Sequence, residues 1–257
     1  MSRLRLPQRF AAGFLLACGL LWSCGHADNA QVELRIAAAS NFAPTLAELA
    51  RRFEEEQHIR VVIVSGSTGK LYAQIKNGAP FDLFLAADER RPLALDDEGE
   101  IVAGSRFTYA IGKLVLWSPI EGYVAADGNP LVPRDCRHLA IANPKLAPYG
   151  RAAEEVLRAR GMWDSLSDQF VRGESVGQAF QFVDSQNAQA GFVAYSQVKR
   201  PGQEVAGSHW LVPQDLYAPI KQQAVLLNDS AAAASFIKFM RSESAVEILT
   251  GYGYEAP

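Results

Sequence analysis

The sequence predicts an α/β protein in which helices cover the faces of a parallel sheet. Three observations support this prediction. Apolar, strand-like runs alternate with segments of helical periodicity from residue 32 onward. The turns between them are polar, and several contain glycine, as expected where a strand gives way to a helix. About 230 residues follow an N-terminal export pattern, which is enough for one large domain or two smaller lobes.

The first 27 residues have the pattern of a secretory signal peptide. Three arginines precede an apolar run at residues 10–22, and small residues follow, with cleavage predicted after Ala27. The run is shorter than the roughly 20 residues that span a membrane, which favours a cleaved signal over an uncleaved anchor. Cys18 and Cys24 leave lipid attachment open as an alternative to a free protein.

Composition limits the classes of partner. The formal net charge is −3, and loss of the three signal arginines would make it about −6. This acidic balance argues against a nucleic-acid partner, which would favour clustered Lys and Arg. After cleavage only Cys136 would remain, so no internal disulfide is expected. The scattered histidines and single cysteines lack the spacing of metal ligands.

The first elements follow a β-α-β-α-β order. Strands are predicted at residues 32–39, 60–64 and 81–86, and an acidic helix follows the third. Two helices between them carry apolar side chains at helical spacing: Leu46, Leu49 and Phe53 in the first, and Leu71, Tyr72 and Ile75 in the second. Thr45 and Glu48 predict a capping box in the first helix. Ligands of such sheets bind beyond the carboxyl ends of the strands.

The rest of the chain repeats this order less regularly. Residues 109–117 are predicted to form one long strand. The later predicted elements are a strand at 139–142, a helix at 150–160, a strand at 170–171, a helix after Ser175, a strand at 191–194, and helices at 231–240 and 243–250.

Four strand-to-helix turns offer hydrogen-bond donors, at residues 37–41, 65–70, 147–150 and 173–178. The first N–H groups of a helix lack intrahelical partners and favour anions. Ser, Thr and Asn are also favoured helix caps, and Ser175 with Gln178 predicts a capping box, so each turn alone is explained by capping. Their recurrence in both halves of the chain favours one anion site.

Two of these turns contain fragments of enzyme motifs. The 65–70 turn lacks a phosphate-binding loop, because Val64 replaces its first glycine and Leu71 follows the lysine in place of Ser or Thr. Residues 173–177 match G-x-S-x-G, which leaves an exported serine hydrolase centred on Ser175 as an alternative. His209 is the single histidine after that serine, and no oxyanion loop of the HGGG type is present.

The four turns, in this order and spacing, resemble the periplasmic molybdate-binding proteins of ABC importers, from about residue 32 to 254. The stretches that carry the resemblance are 37–41, 66–75, 77–82, 86–88, 142–144, 191–194 and 251–253. The resemblance implies a two-lobed periplasmic-binding-protein fold of type II, in which each lobe is a mainly parallel sheet flanked by helices and a strand hinge joins the lobes. Lobe I is then expected at 31–111 plus 217–257, and lobe II at 112–216.

The resemblance also implies the ligand-binding residues. Ser40 and Asn41 would donate hydroxyl and backbone N–H groups from the first lobe, and Thr68 keeps the hydroxyl of a family serine. Tyr149 and Val176 would donate backbone N–H groups from the second lobe, with the Tyr149 hydroxyl as an extra donor. Molybdenum is then bound only as the oxyanion, through these five residues, by neutral donors that satisfy a buried dianion.

The chain departs from one branch of this family at a tyrosine. Some members have a small residue at the Tyr149 position and a ligand tyrosine directly after Gly-x-Val, where this chain has Ala194. Tyr195 is displaced by one residue, which turns a strand side chain to the other face, so Tyr195 is predicted to be structural. Lys70 is predicted to be solvated, and Lys113 to be a hinge or surface residue.

The function that the resemblance implies is transport rather than catalysis. It predicts a monomeric periplasmic protein without a cofactor that captures molybdate, and also tungstate, and delivers it to the membrane permease of an ABC transporter. Two alternatives stay open from the residues: sulfate or another oxyanion as the ligand, and the serine hydrolase.

Overall fold

A computed structural model describes residues 32–129, 131 and 135–256. The predicted signal peptide, with Cys18 and Cys24, lies outside the described residues. Within them, no helix combines the length and the apolar character of a membrane span.

The described residues form ten strands and eight α-helices. The strands are β1 (Glu33–Ala39), β2 (Arg60–Gly66), β3 (Leu83–Ala86), β4 (Phe107–Gly112), β5 (Leu114–Ser118), β6 (Leu139–Ala142), β7 (Phe170–Gly173), β8 (Ala190–Ala194), β9 (Ser208–Leu211) and β10 (Ile220–Leu226). The helices are α1 (Ala43–Gln57), α2 (Thr68–Lys76), α3 (Arg90–Asp97), α4 (Pro148–Ala159), α5 (Val176–Asp184), α6 (Tyr195–Val198), α7 (Ala231–Met240) and α8 (Glu243–Gly251). A 3₁₀ turn, Ser40–Phe42, connects β1 to α1.

The strands make two five-stranded sheets. The first has the order β2-β1-β3-β10-β4, and the second has the order β7-β6-β8-β5-β9. We name the first sheet with its helices lobe I and the second sheet with its helices lobe II. The predicted α/β class and the two-lobed architecture are confirmed.

Each sheet is mixed, with the same arrangement in both lobes. The strands β2, β1 and β3 run parallel, as do β7, β6 and β8, and helices make their crossover connections. In the first sheet, β10 pairs antiparallel with both β3 and β4, and in the second sheet, β5 pairs antiparallel with both β8 and β9. Connectivity explains the antiparallel pairing. Two neighbouring parallel strands are joined by a crossover connection within one sheet, whereas β5 and β10 enter their sheets directly from the other lobe.

Strand β1 shows how the first sheet separates two layers of core. Leu34 and Ile36 face α1, α7 and α8, and Ala37 points to the opposite face, which α2 and α3 cover. This alternation follows from the two-residue period of a strand. In lobe II, one continuous core surrounds the sheet, with Val156 of α4 and Val183 of α5 among its buried residues.

The long strand predicted at residues 109–117 is wrong, because the chain changes sheets at Lys113. Residues before it belong to β4 in lobe I, and residues after it belong to β5 in lobe II. The run is apolar on both sides of the crossing, so hydrophobic pattern alone does not reveal the break. Lys113 pairs with Glu255 at 2.7 Å and accepts a backbone hydrogen bond from Tyr195 at 2.9 Å.

The capping box predicted at Thr45 is also wrong. Helix α1 begins at Ala43 as a continuation of the 3₁₀ turn, so no free helix start exists at Thr45, whose buried hydroxyl has no partner among the described residues. The sequence pattern also missed β9, β10 and α6. In β10 the pair Gln222 and Gln223 interrupts the apolar run, although both side chains are buried.

Candidate functional site

Helix α2 begins with a backbone N–H that has no acceptor in the described part of the chain. The Ser67 hydroxyl caps the helix by accepting from Lys70 N at 3.3 Å. Gly69 N donates across to lobe II, to the Leu146 carbonyl at 2.9 Å. Among the described residues, the Thr68 N–H has no acceptor, as the first turn of a helix leaves it without an intrahelical partner.

Helix α5 repeats this scheme from the other lobe. Ser175 caps it by accepting from Gln178 N at 3.2 Å, and Gly177 N donates to the Ser40 hydroxyl of lobe I at 2.9 Å. The Val176 N–H has no acceptor in the part of the chain that the structure describes. The Gln178 side chain accepts from Glu174 N at 2.7 Å, so the predicted capping box is displaced by one residue.

Helix α4 contributes a third free amide. Its first residue is Pro148, which has no N–H, and the amides of Gly150 and Arg151 both donate to the Ala147 carbonyl, at 3.0 and 3.1 Å. The amide of Tyr149, which follows Pro148, has no acceptor within the described ranges. Gly150 allows this helix to start close to the sheet, because a Cβ there would lie 2.3 Å from the Ala142 carbonyl oxygen.

Asn41 lies in the 3₁₀ turn after β1, and its side-chain nitrogen donates within the protein. It is fully buried, and its Nδ2 donates to Gln222 Oε1 and to the Tyr254 hydroxyl, both at 2.9 Å. Its carbonyl accepts from the Ser196 hydroxyl of lobe II at 3.0 Å. Asn41 Oδ1 has no partner among the described residues, and the donor of Asn41 that remains for a ligand is its backbone N–H.

Two buried hydroxyls each have a proton left to donate. Thr68 Oγ1 accepts from Ala87 N at 3.2 Å, and the Tyr149 hydroxyl accepts from Gln222 Nε2 at 3.2 Å. Neither hydroxyl donates to another described residue. Burial raises the pKa of Tyr149 well above its usual range, so this phenol stays protonated as a donor.

The predicted site residues occupy two environments. Ser40 lines an open cleft between the lobes, whereas Asn41, Thr68, Tyr149 and Val176 are at most 3% exposed and lie in the interior. The cleft is lined by Ser40, Ser65, Gly66, Ser67, Lys70, Glu174, Ser175, Gly177, Gln178 and Gln181. Its two charged side chains, Lys70 and Glu174, form an ion pair across the lobes.

Direct contacts bring the two lobes together at the site. The amides of Gly69 and Gly177 bind the opposite lobe, and Arg91, which is paired with Asp88, donates to the Lys145 carbonyl at 3.3 Å. The helix starts of α2, α4 and α5 and the turn after β1 thus meet in a closed arrangement. Together they present neutral N–H and O–H donors, which is the chemistry of an anion site.

The family comparison identifies the protein class. Residues 34–255 match the family model described as bacterial extracellular solute-binding protein. The chain belongs to this family. As a solute-binding protein it is not an enzyme and has no cofactor, and the serine-hydrolase alternative is not supported: the Ser175 hydroxyl serves as a helix cap.

Molybdate-binding proteins are similar to this chain along nearly its whole length. The molybdate-binding protein ModA of Azotobacter vinelandii is 46% identical over 93% of this chain and 94% of its own length. ModA of Rhodobacter capsulatus is 46% identical over 97% of this chain and 98% of its own. The solved structure of the Azotobacter vinelandii periplasmic molybdate-binding protein superimposes with a TM-score of 0.85 at 44% identity, covering 87% of this chain and 99% of that one.

In this solute-binding protein, sequence reasoning missed the residues that hold the site together. Gln222 contacts Asn41 and Tyr149 but belongs to no sequence motif. Gly177 belongs to the 173–177 motif, which did not reveal that it brings α5 against Ser40 of the other lobe. The apolar residues after Gln223 are a local signal for β10, but the pairing of β10 with β4 depends on residues far along the chain. Tyr195 lies against Gly253 and 6.4 Å from His209 between ring centroids.

Proposed function

We propose that this protein captures molybdate, and also tungstate, outside the cytoplasm and delivers it to the permease of an ABC importer. The observation that carries the proposal is the set of unused donors at the helix starts of both lobes. The amides of Thr68, Tyr149 and Val176 and the hydroxyls of Thr68 and Tyr149 have no acceptor for their protons in the described part of the chain. The names of the 46% identical relatives support molybdate as the anion.

The proposed ligand-binding residues are Ser40, Asn41, Thr68, Tyr149 and Val176. Their donors are neutral, and the paired charges of Lys70 and Glu174 at the cleft add no net charge. A dianion held in this way has every oxygen hydrogen-bonded, which offsets the cost of its burial. Discrimination among oxyanions of different size then depends on the spacing of these donors.

The proposal includes the organisation of the chain and its location. We assign residues 31–111 and 217–257 to lobe I, and residues 112–216 to lobe II. The change of sheet at Lys113 and the return of the chain before Ile220 support these limits. We also propose that residues 1–27 are removed on export to the periplasm and that the protein acts as a monomer.

Titration calorimetry with molybdate, tungstate, sulfate and phosphate tests the proposal. We expect one site per chain, with tight binding of molybdate and tungstate and much weaker binding of the two smaller anions. Tight binding of sulfate without binding of molybdate would contradict the proposal and favour the other oxyanion class. Binding of none of the four would contradict the assignment of an oxyanion site.

A further inference from the structure

Gln222 lies at the centre of a buried hydrogen-bond network next to the proposed site. Its side chain is fully buried on β10. The amide oxygen accepts from Asn41 Nδ2 and from the Tyr109 hydroxyl, both at 2.9 Å, and the amide nitrogen donates to the Tyr149 hydroxyl at 3.2 Å. One side chain therefore contacts a proposed ligand residue of each lobe.

The chemistry of these partners gives the network a direction. Asn41 Nδ2 can only donate, so the oxygen of Gln222 faces Asn41 and the nitrogen faces Tyr149. The Tyr149 hydroxyl must then accept, and its own proton points away from Gln222. Among the described residues that proton has no acceptor.

Gly112, like Gln222, packs against the Tyr149 hydroxyl. A Cβ at this position would lie 2.1 Å from the hydroxyl oxygen and 2.6 Å from Gln222 Nε2. Gly112 ends β4, beside Ile220 of β10, directly before the chain crosses to lobe II. The side chain of Tyr149, from lobe II, thus packs into a recess of lobe I that is formed by β4 and β10.

We propose that Gln222 is a positioning residue of the anion site. It holds the Tyr149 hydroxyl as a donor toward the oxyanion and links that donor to Asn41, while Gly112 provides the space. The inference rests on the proposed function, and it adds a specificity role for a residue that does not itself bind the anion. An anion that carries no proton suits a tyrosine in the donor orientation.

Two substitutions at Gln222 test the inference. Gln222→Met has a similar volume and removes all three hydrogen bonds. Gln222→Glu keeps acceptors for Asn41 and Tyr109, so that only the bond with Tyr149 must reverse, with Tyr149 donating to the carboxylate. Because Gln222→Glu keeps most of the network, this variant remains informative if Gln222→Met does not fold. Gln223→Met is the matched control, because Gln223 is adjacent on the strand but bonds to Thr108 and Arg106.

The measurement is molybdate affinity by calorimetry on the full exported chain, with unfolding in urea to check the fold. We expect each Gln222 variant to bind molybdate about tenfold more weakly or worse, and Gln223→Met to bind as the wild type does. In a double-mutant cycle with Tyr149→Phe, adding Gln222→Met should cause little further loss, because both changes remove the same donor.

The outcomes separate the inference from the proposed function. A wild-type protein that does not bind molybdate would contradict the proposed function. If the wild type binds and the folded Gln222 variants bind equally well, the positioning role is wrong. Losses that simply add in the cycle with Tyr149→Phe would likewise contradict it, since they would indicate a general structural effect.

Discussion

Thr68 stands at the first position of α2, one residue after the serine that caps the helix. Its hydroxyl accepts from Ala87 N, and its own amide is unused within the described residues. Ser67, the neighbouring hydroxyl, is occupied as the cap. Two adjacent hydroxyl residues therefore have different roles, and only one of them is proposed to meet the anion.

Substitution of Thr68 tests this separation of roles. Thr68→Val keeps the shape but removes the hydroxyl, and we expect molybdate affinity to fall by roughly 1.5–3 kcal/mol, the value of a hydrogen bond to a charged group. Thr68→Ser should retain most of the affinity. Ser67→Ala should instead lower the free energy of unfolding by about 1 kcal/mol through loss of the cap. Calorimetry and urea unfolding distinguish the two effects, and unchanged affinity in Thr68→Val would refute the assignment.

The buried tyrosines give stability a dependence on alkaline pH. Burial raises the pKa values of Tyr109 and Tyr149 above the unfolded value of about 10. Between the unfolded and folded pKa values the native state holds more protons, so the free energy of unfolding falls as pH rises. Below pH about 10 this contribution to stability is complete.

We therefore expect the free energy of unfolding to fall above pH 10 and to fall less steeply in Tyr149→Phe. The difference in slope approaches about 1.4 kcal/mol per pH unit for one tyrosine. Urea unfolding of both proteins at several pH values from 9 to 11 measures it. Identical slopes would show that Tyr149 ionises equally well in the folded and unfolded chains.

At the scale of elements, glycines set how closely the helix starts approach their surroundings. A Cβ at Gly177 in α5 would lie 2.9 Å from Ser40 Cβ, across the lobes. A Cβ at Gly150 in α4 would lie 2.3 Å from the Ala142 carbonyl, within the same lobe. One contact exists only when the lobes are closed, whereas the other belongs to the folded lobe itself.

The two alanine variants should therefore change different properties, Gly177→Ala the molybdate affinity and Gly150→Ala the stability. Gly177→Ala should leave the ligand-free protein equally stable or up to about 1 kcal/mol more stable, because alanine favours a helix, while molybdate affinity decreases. Gly150→Ala should lower the free energy of unfolding in the absence of ligand. Thermal unfolding and calorimetry separate these results, and a Gly177→Ala protein with wild-type affinity would argue against the closed arrangement as the binding state.

At the scale of the whole molecule, the lobes meet through hydrogen bonds near the site and through two ion pairs, Lys113 with Glu255 where the chain changes sheets and Lys70 with Glu174 at the cleft. The side chains of Lys70 and Glu174 are 47% and 63% exposed. Exposed pairs of this kind contribute little, because solvent and salt screen them. Closure therefore depends mainly on the ligand and on the buried contacts around Asn41 and Tyr149.

Removing this ion pair should have a small effect that depends on salt. We expect Lys70→Gln and Glu174→Gln each to change molybdate affinity by no more than about fivefold at low ionic strength, and by less in 0.5 M sodium chloride. A loss in Lys70→Gln comparable with that in Thr68→Val, and unaffected by salt, would indicate that Lys70 contacts the anion directly.

The sequence by itself determined the class of elements and the turns in which the proposed donors lie. Periodicity located most helices and the parallel strands, and the polar turns at 37–41, 65–70, 147–150 and 173–178 marked the helix starts, because these signals are local. The change of sheet at Lys113, the pairing of β10 and the contacts of Gln222 were decided only by the tertiary structure. They depend on partners far along the chain, such as Asn41 and Gln222, which are 181 residues apart. No local pattern encodes that pairing, whereas a helix start is encoded by a few adjacent residues.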